Sequence, residues 1–253
     1  MPHAAPLFSV RGLSKVFDGT TAICSIDLDI LEGQCLLIAG SNGSGKTVLV
    51  RMLIGLMDPS AGTILFRGKA LDRSIRHEVG MIFQDADAQI IGETVAEDTA
   101  FGPKNLRMTK STITERVRAA LEAMSLIEKS DFLAQHLSGG EKRRLAIAGV
   151  LAMGCSTIIM DEPFANLDWC SVVSTVRTIG RLKAEGKTLI ILTHELEKVL
   201  ALADRLVILH RGIVREDGEP EAVLNRLDPS CGVRDPRHSY LSVADCIWDT
   251  ITP

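Results

Sequence analysis

The sequence predicts an α/β protein whose core is a mostly parallel sheet covered by helices on both faces. A glycine-rich loop, residues 40–47, follows an apolar run of strand character at 35–39 and precedes a segment of helical character at 48–53. Alternation of apolar strands with helices is typical of a parallel sheet that is buried on both faces. Helical stretches, expected at 171–183 and 195–202, likewise separate three later apolar runs at 157–160, 188–192 and 205–209.

Length, charge and hydropathy indicate a globular chain without a membrane span. With 253 residues, 46% of them hydrophobic, the chain can build one large core or a core with an appended subdomain. Its net charge of −4 provides no overall basic field, so we expect no nucleic-acid partner. No apolar run reaches the roughly 18 to 20 residues of a membrane span, and residues 1–6 do not resemble a signal peptide. We therefore expect a cytosolic chain.

Antiparallel strands are predicted near the amino terminus, on both sides of the glycine-rich loop. Residues from 7 to about 21, and again from 23 to 30, alternate apolar with polar side chains, as half-exposed antiparallel strands do. A further strand is predicted at 63–68, after a turn at 58–62. Residues 79–84 predict a short buried strand that ends at Gln84.

The middle of the chain, from Thr94 to Met153, has helical periodicity and predicts an inserted helical subdomain. An amphipathic helix is expected at 112–126, with Thr112 or Thr114 as its cap, and Gly102-Pro103 is expected to break the segment before it. Ser138 is the predicted N-cap of a further helix with an almost wholly apolar body. Beyond Pro220 we expect a short helix at 221–227 and no clear period after it.

The glycine-rich loop predicts a phosphate-binding site. Its glycines let the backbone adopt positive φ and turn N–H groups inward, which makes an anion-binding nest at the start of a helix. Lys46 is then expected to reach the β and γ phosphates, and the Thr47 hydroxyl to face Mg²⁺. The alternative is a glycine-rich turn that matches by accident, and the order strand, loop, helix argues against it. The spacing G-x-x-x-x-G-K-[ST] is formed by Gly40, Ser41, Asn42, Gly43, Ser44, Gly45, Lys46 and Thr47.

Two carboxylates, Asp161 and Glu162, directly follow the apolar run at 157–160. Ligands bind at the carboxyl ends of strands in open parallel sheets, so we expect Asp161 to hold Mg²⁺. Glu162 points elsewhere and is expected to polarise a water toward the γ-phosphate. The alternative is a pair that merely caps a strand before Pro163. The presence of the phosphate loop in the same chain favours the functional interpretation.

Three more side chains are candidates for the site because they end predicted strands. The Gln84 amide can bridge Mg²⁺ or water to a moving segment, and the His194 imidazole can donate to a γ-phosphate oxygen. Phe17 can stack on a base. Each has a simpler interpretation, namely a solvated strand end for Gln84, a satisfied polar residue for His194 and a core residue for Phe17.

A second anion site is predicted at the start of another helix, where Leu137 precedes Ser138, Gly139, Gly140 and Glu141. One chain needs only one phosphate cradle. We therefore expect this second site to serve a nucleotide held by another subunit, so that two chains close over two nucleotides.

Taken together, these residues resemble the set that defines the nucleotide-binding subunits of ATP-binding cassette (ABC) proteins, and the resemblance extends to about Gly218. It assigns residues 40–47 to the Walker A motif, Gln84 to the Q-loop, 137–141 to the signature and 157–162 to the Walker B motif with its catalytic glutamate. It also assigns Asn166, Leu167 and Asp168 to the D-loop, His194 to the switch histidine and Phe17 to the base-stacking aromatic.

The resemblance implies a P-loop NTPase (RecA-like) core with an amino-terminal antiparallel β subdomain and an α-helical subdomain inserted at about 85–154. These parts form one ABC ATPase domain at 1–218, and 219–253 is a tail to which the sequence assigns no role. The family implies hydrolysis of ATP to ADP and phosphate, with Glu162, His194 and Gln84 in catalysis. It also implies Mg²⁺ held by Thr47, Gln84 and Asp161.

A finer resemblance rests on residues 83–91 and 94–106, which are similar to the ATPases of energy-coupling factor (ECF) transporters. Those transporters import vitamins, nickel or cobalt. The chain departs from their pattern at Ala86 and Ala88, where a bulky residue and proline are frequent. The resemblance implies a peripheral motor on the cytoplasmic side of the cell membrane. Its partners would be a second ATPase subunit, identical or related, a transmembrane coupling subunit and a substrate-binding membrane subunit.

Three alternative functions make different demands on the sequence. A DNA-repair or chromosome-organising ATPase needs a long coiled coil between cradle and signature, where this chain has a compact helical stretch. A translation-associated module carries two cassettes in one chain, and a catalytically silent scaffold does not need Lys46, Asp161, Glu162 and His194 together. Another class of ABC transporter, or a non-transport ABC ATPase, remains as the second interpretation.

The segment after Gln84 predicts a surface for a membrane partner. It presents four apolar side chains next to two aspartates, and we expect them to line a groove for a short helix whose basic residues meet the aspartates. The alternative is that the isoleucines pack under the helical subdomain while the aspartates are solvated. The residues are Asp85, Ala86, Asp87, Ala88, Ile90 and Ile91.

Overall fold

The structure is a computed structural model that describes residues 5–237 of the chain. The strands are β1 (Phe8–Phe17), β2 (Thr20–Ile30), β3 (Cys35–Ala39), β4 (Ala61–Phe66), β5 (Lys69–Ala70), β6 (Val79–Ile82), β7 (Thr157–Asp161), β8 (Thr188–Thr193), β9 (Arg205–His210) and β10 (Ile213–Gly218). The helices are α1 (Lys46–Leu53), α2 (Val95–Asn105), α3 (Lys110–Ala123), α4 (Gly139–Met153), α5 (Trp169–Ala184) and α6 (Pro220–Leu224).

Two units make up the chain. Within the described residues, the first comprises 5–31, 35–70 and 192–237, and the second comprises 32–34 and 71–191. The division falls inside β8 and between the predicted nucleotide motifs.

An antiparallel sheet of order β2-β1-β4-β5 lies in the first unit. The strands β1 and β2 pair with Phe8 opposite Ile30 and Val10 opposite Leu28, and all four side chains are buried. The alternate residue Asp29 points away from this core and forms an ion pair with Arg11 at 2.7 Å. One apolar and one polar face therefore produce the alternation that the sequence shows, and the predicted antiparallel character is confirmed.

The first unit also contains strands in the order β10-β9-β3. The strand β3 runs parallel to β9, with Leu37 opposite Leu206, and β10 returns antiparallel to β9. All five residues of β3 are buried, which explains its uninterrupted apolar run. This buried strand delivers the chain directly into the glycine-rich loop.

The second unit combines strands in the order β8-β7-β6 with the helices α2 to α5. The strands β6 and β7 are parallel, with Gly80 opposite Ile158. Helix α4 packs closely on β6, since a Cβ at Gly80 would lie 2.3 Å from Val150. Within residues 5–237, no helix is both long enough and apolar enough to cross a membrane.

Three local predictions were wrong. Helix α2 runs through Gly102-Pro103, because Pro103 lies near its end and Gly102 allows close packing, with a Cβ there only 2.4 Å from Met153. The cap of α3 is Thr109, whose hydroxyl accepts the N–H of Thr112 at 3.3 Å, so the helix begins earlier than periodicity suggested. Residues 195–202 form two short 3₁₀ turns rather than a helix.

Candidate functional site

The glycine-rich loop lies between β3 and α1, as the sequence predicts. Within it, the Ser44 N–H donates to the Ser41 carbonyl at 3.1 Å and closes a turn. Gly43 and Gly45 have φ values of 80° and 105°, a region that side chains other than glycine rarely adopt. Helix α1 then begins at Lys46. The backbone therefore has the turn and helix start that an anion-binding nest requires.

Close packing fixes one side of this loop. A Cβ at Gly40 would lie 2.2 Å from the carbonyl oxygen of Leu209 and 2.6 Å from Ser44 Oγ. Any side chain at Gly40 would therefore displace the loop from β9. The Gly212 N–H, in the turn after β9, donates to the Ser44 carbonyl at 2.9 Å and adds a second attachment.

Two polar side chains of the loop fit a phosphate group. Lys46 is 6% exposed, and its ammonium donates to the Gly40 carbonyl at 2.6 Å and to the Ser41 carbonyl at 3.3 Å. Ser44 Oγ is buried and makes no hydrogen bond with any residue in the described range 5–237. A buried hydroxyl without a partner costs free energy, and a phosphate oxygen would supply the missing acceptor. The loop is therefore suited to a polyphosphate.

Phe17 and His194 also belong to the first unit. Phe17 is the last residue of β1 and 40% exposed, and the Lys15 ammonium lies 5.1 Å from its ring centroid. Because the ring is open to solvent, the core interpretation of Phe17 is wrong. His194 directly follows β8 and is exposed as well.

Asp161 and Glu162 lie in the second unit, at the end of β7. Both are buried, with exposed fractions of 4% and 6%. Asp161 is the last strand residue, and Glu162 has a φ of 47°, which is unfavourable for a residue with a side chain. Such strain is frequent at functional sites, where it directs a side chain away from the strand. A carboxylate at a strand end is a hard oxygen donor, so Asp161 fits Mg²⁺.

Gln84 lies in a loop that α4 holds by its backbone. The Arg143 guanidinium donates to the Phe83 carbonyl at 2.6 Å and to the Gln84 carbonyl at 2.8 Å. Arg143 is only 3% exposed, and burial lowers the pKa of its guanidinium. The Gln84 side chain itself remains exposed. Sequence reasoning missed Arg143, because it stands between Lys142 and Arg144 and nothing in the local sequence distinguishes it from these neighbours.

The two aspartates after Gln84 make contacts within the second unit. The Asp85 carboxylate accepts the N–H groups of Asp87 at 3.0 Å and Ala88 at 3.3 Å, and Asp87 forms an ion pair with Lys142 of α4. Asp85 therefore stabilises its own loop, and Asp87 joins that loop to α4. Both aspartates are exposed, and their role in receiving basic residues of a partner stays a prediction. Ile91 is 65% exposed, whereas Ile90 is only partly so.

The predicted signature is the capped start of α4. Ser138 Oγ accepts the Glu141 N–H at 3.4 Å, and the Glu141 carboxylate accepts the Ser138 N–H at 2.9 Å, which is a capping box. The Lys129 ammonium lies 2.5 Å from the same carboxylate and, with the Ser138 bonds, lowers the pKa of Glu141 to about 2. Ser138 and Gly139 are exposed, so this rigid helix start faces solvent.

The predicted D-loop lies beside the signature within the second unit. A Cβ at Gly140 would lie 2.2 Å from Ser171 Oγ, and one at Gly139 would lie 4.0 Å from the Asn166 carbonyl oxygen. Asp168 caps α5 by accepting the Ser171 N–H at 2.8 Å. Hydrogen bonds from the Ser171 side chain and from its backbone lower the pKa of Asp168. The structure thus brings the signature and the D-loop together.

Oxygen-donor residues are present for Mg²⁺, but they do not form a dense cluster of metal ligands. Within the part of the chain that the structure describes, no group of three or more His, Cys, Asp or Glu side chains could hold a metal ion. Mg²⁺ in nucleotide sites is commonly held by one or two carboxylates and by substrate phosphates. A site that uses Asp161 together with phosphate oxygens is consistent with this donor set.

Comparison with known proteins identifies the class and then the family. Residues 23–165 match the family of ABC transporters, which covers more than half of the chain. The glycine-rich loop between β3 and α1 has the geometry of a P-loop. The chain is therefore a P-loop ATPase. It belongs to the ABC transporter family, as the sequence motifs predicted.

Individual relatives show more specifically which ABC proteins this chain is similar to. A putative ABC transporter ATP-binding protein of Halobacterium salinarum is 40% identical, over 91% of this chain and 100% of its own length. The energy-coupling factor transporter ATP-binding protein EcfA of Carboxydothermus hydrogenoformans is 39% identical, over 83% of this chain and 79% of its own. The structure of CbiO1 from Clostridium perfringens, part of the ABC transporter complex CbiONQ, has a TM-score of 0.81 and 33% identity, covering 88% of this chain and 92% of its own. The predicted fold class is confirmed.

Proposed function

We propose that this chain is the ATP-hydrolysing subunit of an ECF-type importer and powers the uptake of a vitamin or a transition-metal ion. The observation that carries the proposal is the phosphate loop, in which Lys46 and the buried Ser44 hydroxyl are suited to a polyphosphate. Likeness to EcfA and CbiO proteins supports the importer class. The second candidate is the ATPase of another ABC transporter class, for which the same site would serve.

The phosphate loop would hold ATP, and Phe17 would stack on its base. Mg²⁺ would be held by Thr47, Gln84 and Asp161, and it supplies Lewis-acid stabilisation of charge on the phosphates. Lys46 would stabilise the γ-phosphoryl group, and His194 would donate to one of its oxygens. Glu162 would position the attacking water and accept its proton.

Replacing Glu162 tests the hydrolytic role. Glutamine has nearly the same shape but does not accept the proton, so Glu162→Gln should retain ATP binding while hydrolysis slows by roughly 10²–10⁴-fold. Turnover of Mg-ATP and binding of a fluorescent ATP analogue would be measured on the same preparation. Glu185→Gln, an exposed site at the end of α5, is the control and should behave as the parent does. Turnover of Glu162→Gln within about twofold of the parent would contradict the assignment.

A second ATPase subunit would complete each nucleotide site. Ser138 and Gly139 are exposed at a capped helix start, which is a ready anion site, and the D-loop lies beside them. We infer that this surface faces the γ-phosphate held by Lys46 of another subunit. The two subunits would then close head to tail when ATP is bound.

Light scattering in the slow Glu162→Gln background tests the shared site. With ATP, this variant should form a dimer, and Ser138→Arg should abolish it because the new side chain occupies the phosphate position. Ser138→Ala is the control, since it also loses the N-cap, worth about 1 kcal/mol, but adds no bulk. The alanine variant should still dimerise. An ATP-induced dimer of Ser138→Arg would count against the shared site.

A transmembrane coupling subunit would bind at the exposed apolar residues near α2. The Asp98 carboxylate accepts the N–H groups of Ile91 at 2.8 Å and Gly92 at 3.0 Å, which fixes Ile91 against α2. Phe101, 42% exposed, follows Asp98 by three residues on the same helix face. We infer that Ile91 and Phe101 receive an apolar helix of the membrane subunit, and that this contact keeps the chain at the cytoplasmic face. A substrate-binding membrane subunit would complete the importer.

A charge at Ile91 tests this partner surface. Ile91→Glu should leave the ATPase activity and melting temperature of the isolated chain nearly unchanged, because the side chain is 65% exposed. Copurification with the membrane subunits and substrate uptake in cells should be lost. Leu56→Glu, at a residue that is 48% exposed in the first unit, is the matched control and should retain both. Uptake at the parent rate in cells that carry Ile91→Glu would refute the surface.

A further inference from the structure

The carboxyl-terminal segment 228–233 is an ordered part of the first unit. Its residues form a 3₁₀ turn, Pro229–Cys231, which the Asp228 carboxylate caps by accepting the Ser230 N–H at 2.8 Å. Cys231 and Val233 are each only 4% exposed. A segment that buries two apolar side chains is packed against the protein rather than extended into solvent. The sequence assigned it no role.

This segment contacts the strand that supports the phosphate loop. His210, the last residue of β9, has its Nδ1 3.3 Å from the Cys231 carbonyl oxygen. The preceding residue, Leu209, has its carbonyl oxygen against Gly40 at the start of the loop. The segment and the loop are therefore attached to consecutive residues of one buried strand.

The same segment also lies close to the loop, without room for a side chain between them. Gly232 has a φ of 69°, and a Cβ built on it would lie 3.1 Å from Ser41 Cβ and 3.5 Å from Ser41 Oγ. Ser41 is the residue whose carbonyl accepts both the Ser44 N–H and the Lys46 ammonium. Any displacement of Ser41 would thus disturb the turn of the loop and the position of the lysine at once.

Ser41 has little freedom to move elsewhere. Gly40 is packed against Leu209, Gly212 is bonded to Ser44, and a Cβ at Gly45 would lie 2.8 Å from the Ala22 carbonyl oxygen. These contacts hold the loop on the sides formed by β9 and β2. Segment 228–233 lies on the remaining side of the loop, next to Ser41.

We propose that segment 228–233 positions the phosphate loop through the contact between Gly232 and Ser41, and so sets the affinity of the chain for nucleotide. Gly232 is then a positioning residue for nucleotide binding, outside the motifs that define the family. The inference rests on the proposed function, because it requires that the loop binds a nucleotide. A segment that merely completes the core would affect stability without changing affinity.

A pair of glycine substitutions separates these roles. Gly232→Val and Gly68→Val place the same side chain at similar φ values, 69° and 75°, so both variants carry a similar backbone strain. They differ in surroundings, since a Cβ at Gly68 meets no heavy atom within 4 Å, whereas the one at Gly232 meets Ser41. Binding of a fluorescent ATP analogue with Mg²⁺ and melting temperature would be measured for both variants and the parent.

The expected result is a dissociation constant raised about fivefold or more in Gly232→Val and within about twofold of the parent in Gly68→Val, since only the first displaces the loop. KM for ATP should rise with kcat less affected. A parent-like dissociation constant in folded Gly232→Val would overturn the proposal. If that variant does not fold, Gly232→Ala and Gly68→Ala give the same comparison. A parent chain that binds no nucleotide would instead refute the proposed function.

A double-mutant cycle with Ser41→Gly tests the contact itself. Removing the Ser41 side chain removes the atoms that the valine would meet, so the fold-loss of affinity caused by Gly232→Val should fall by about half or more in the Ser41→Gly background. An equal fold-loss in both backgrounds would show that the substitution acts by another route and would overturn the proposed contact.

Discussion

The close approach of β9 to the glycine-rich loop is the constraint on which the first unit's part of the site depends. A Cβ at Gly40 would lie 2.2 Å from the Leu209 carbonyl oxygen, so the first residue of the loop has no room for a side chain. The loop then leads from β3 into α1. This packing places Ser44 Oγ in a buried position and folds Lys46 over the Gly40 and Ser41 carbonyls. The buried Ser44 hydroxyl makes no hydrogen bond with the residues that the structure describes, which is a condition that favours a ligand with acceptor oxygens.

A different interaction organises the second unit. The buried Arg143 guanidinium holds the carbonyls of Phe83 and Gln84, and the neighbouring Lys142 pairs with Asp87. Both cations lie on α4, whose capped start is the signature surface at Ser138. The loop that carries Gln84 is therefore anchored to the helix that is proposed to contact the second nucleotide. In this arrangement, a movement of the helix would carry the Gln84 loop with it.

Sequence reasoning succeeded where the determining chemistry is local. The phosphate loop, the Ser138 cap and the strand that ends at Asp161 each follow from a few consecutive residues, and the structure has all three elements. The cap of α3 was misassigned because several hydroxyls stand in a row and only the fold selects Thr109. Arg143 and Gly232 were missed because their partners lie about sixty residues or more away in sequence, and no local pattern reports such contacts. The ion pair of Asp87 with Lys142 was not predicted for the same reason, since Lys142 is distant in the chain.

The central claim is that the loop at 40–47 binds the phosphates of ATP through Lys46. Calorimetric titration of a non-hydrolysable ATP analogue with Mg²⁺ into the parent and into Lys46→Ala tests it most directly, with Lys69→Ala on the exposed β5 as the control. A charge-assisted contact of this kind predicts binding to the parent and to the control, and an affinity lower by roughly tenfold or more in Lys46→Ala. Equal affinity of all three proteins, or no binding to the parent, would contradict the account.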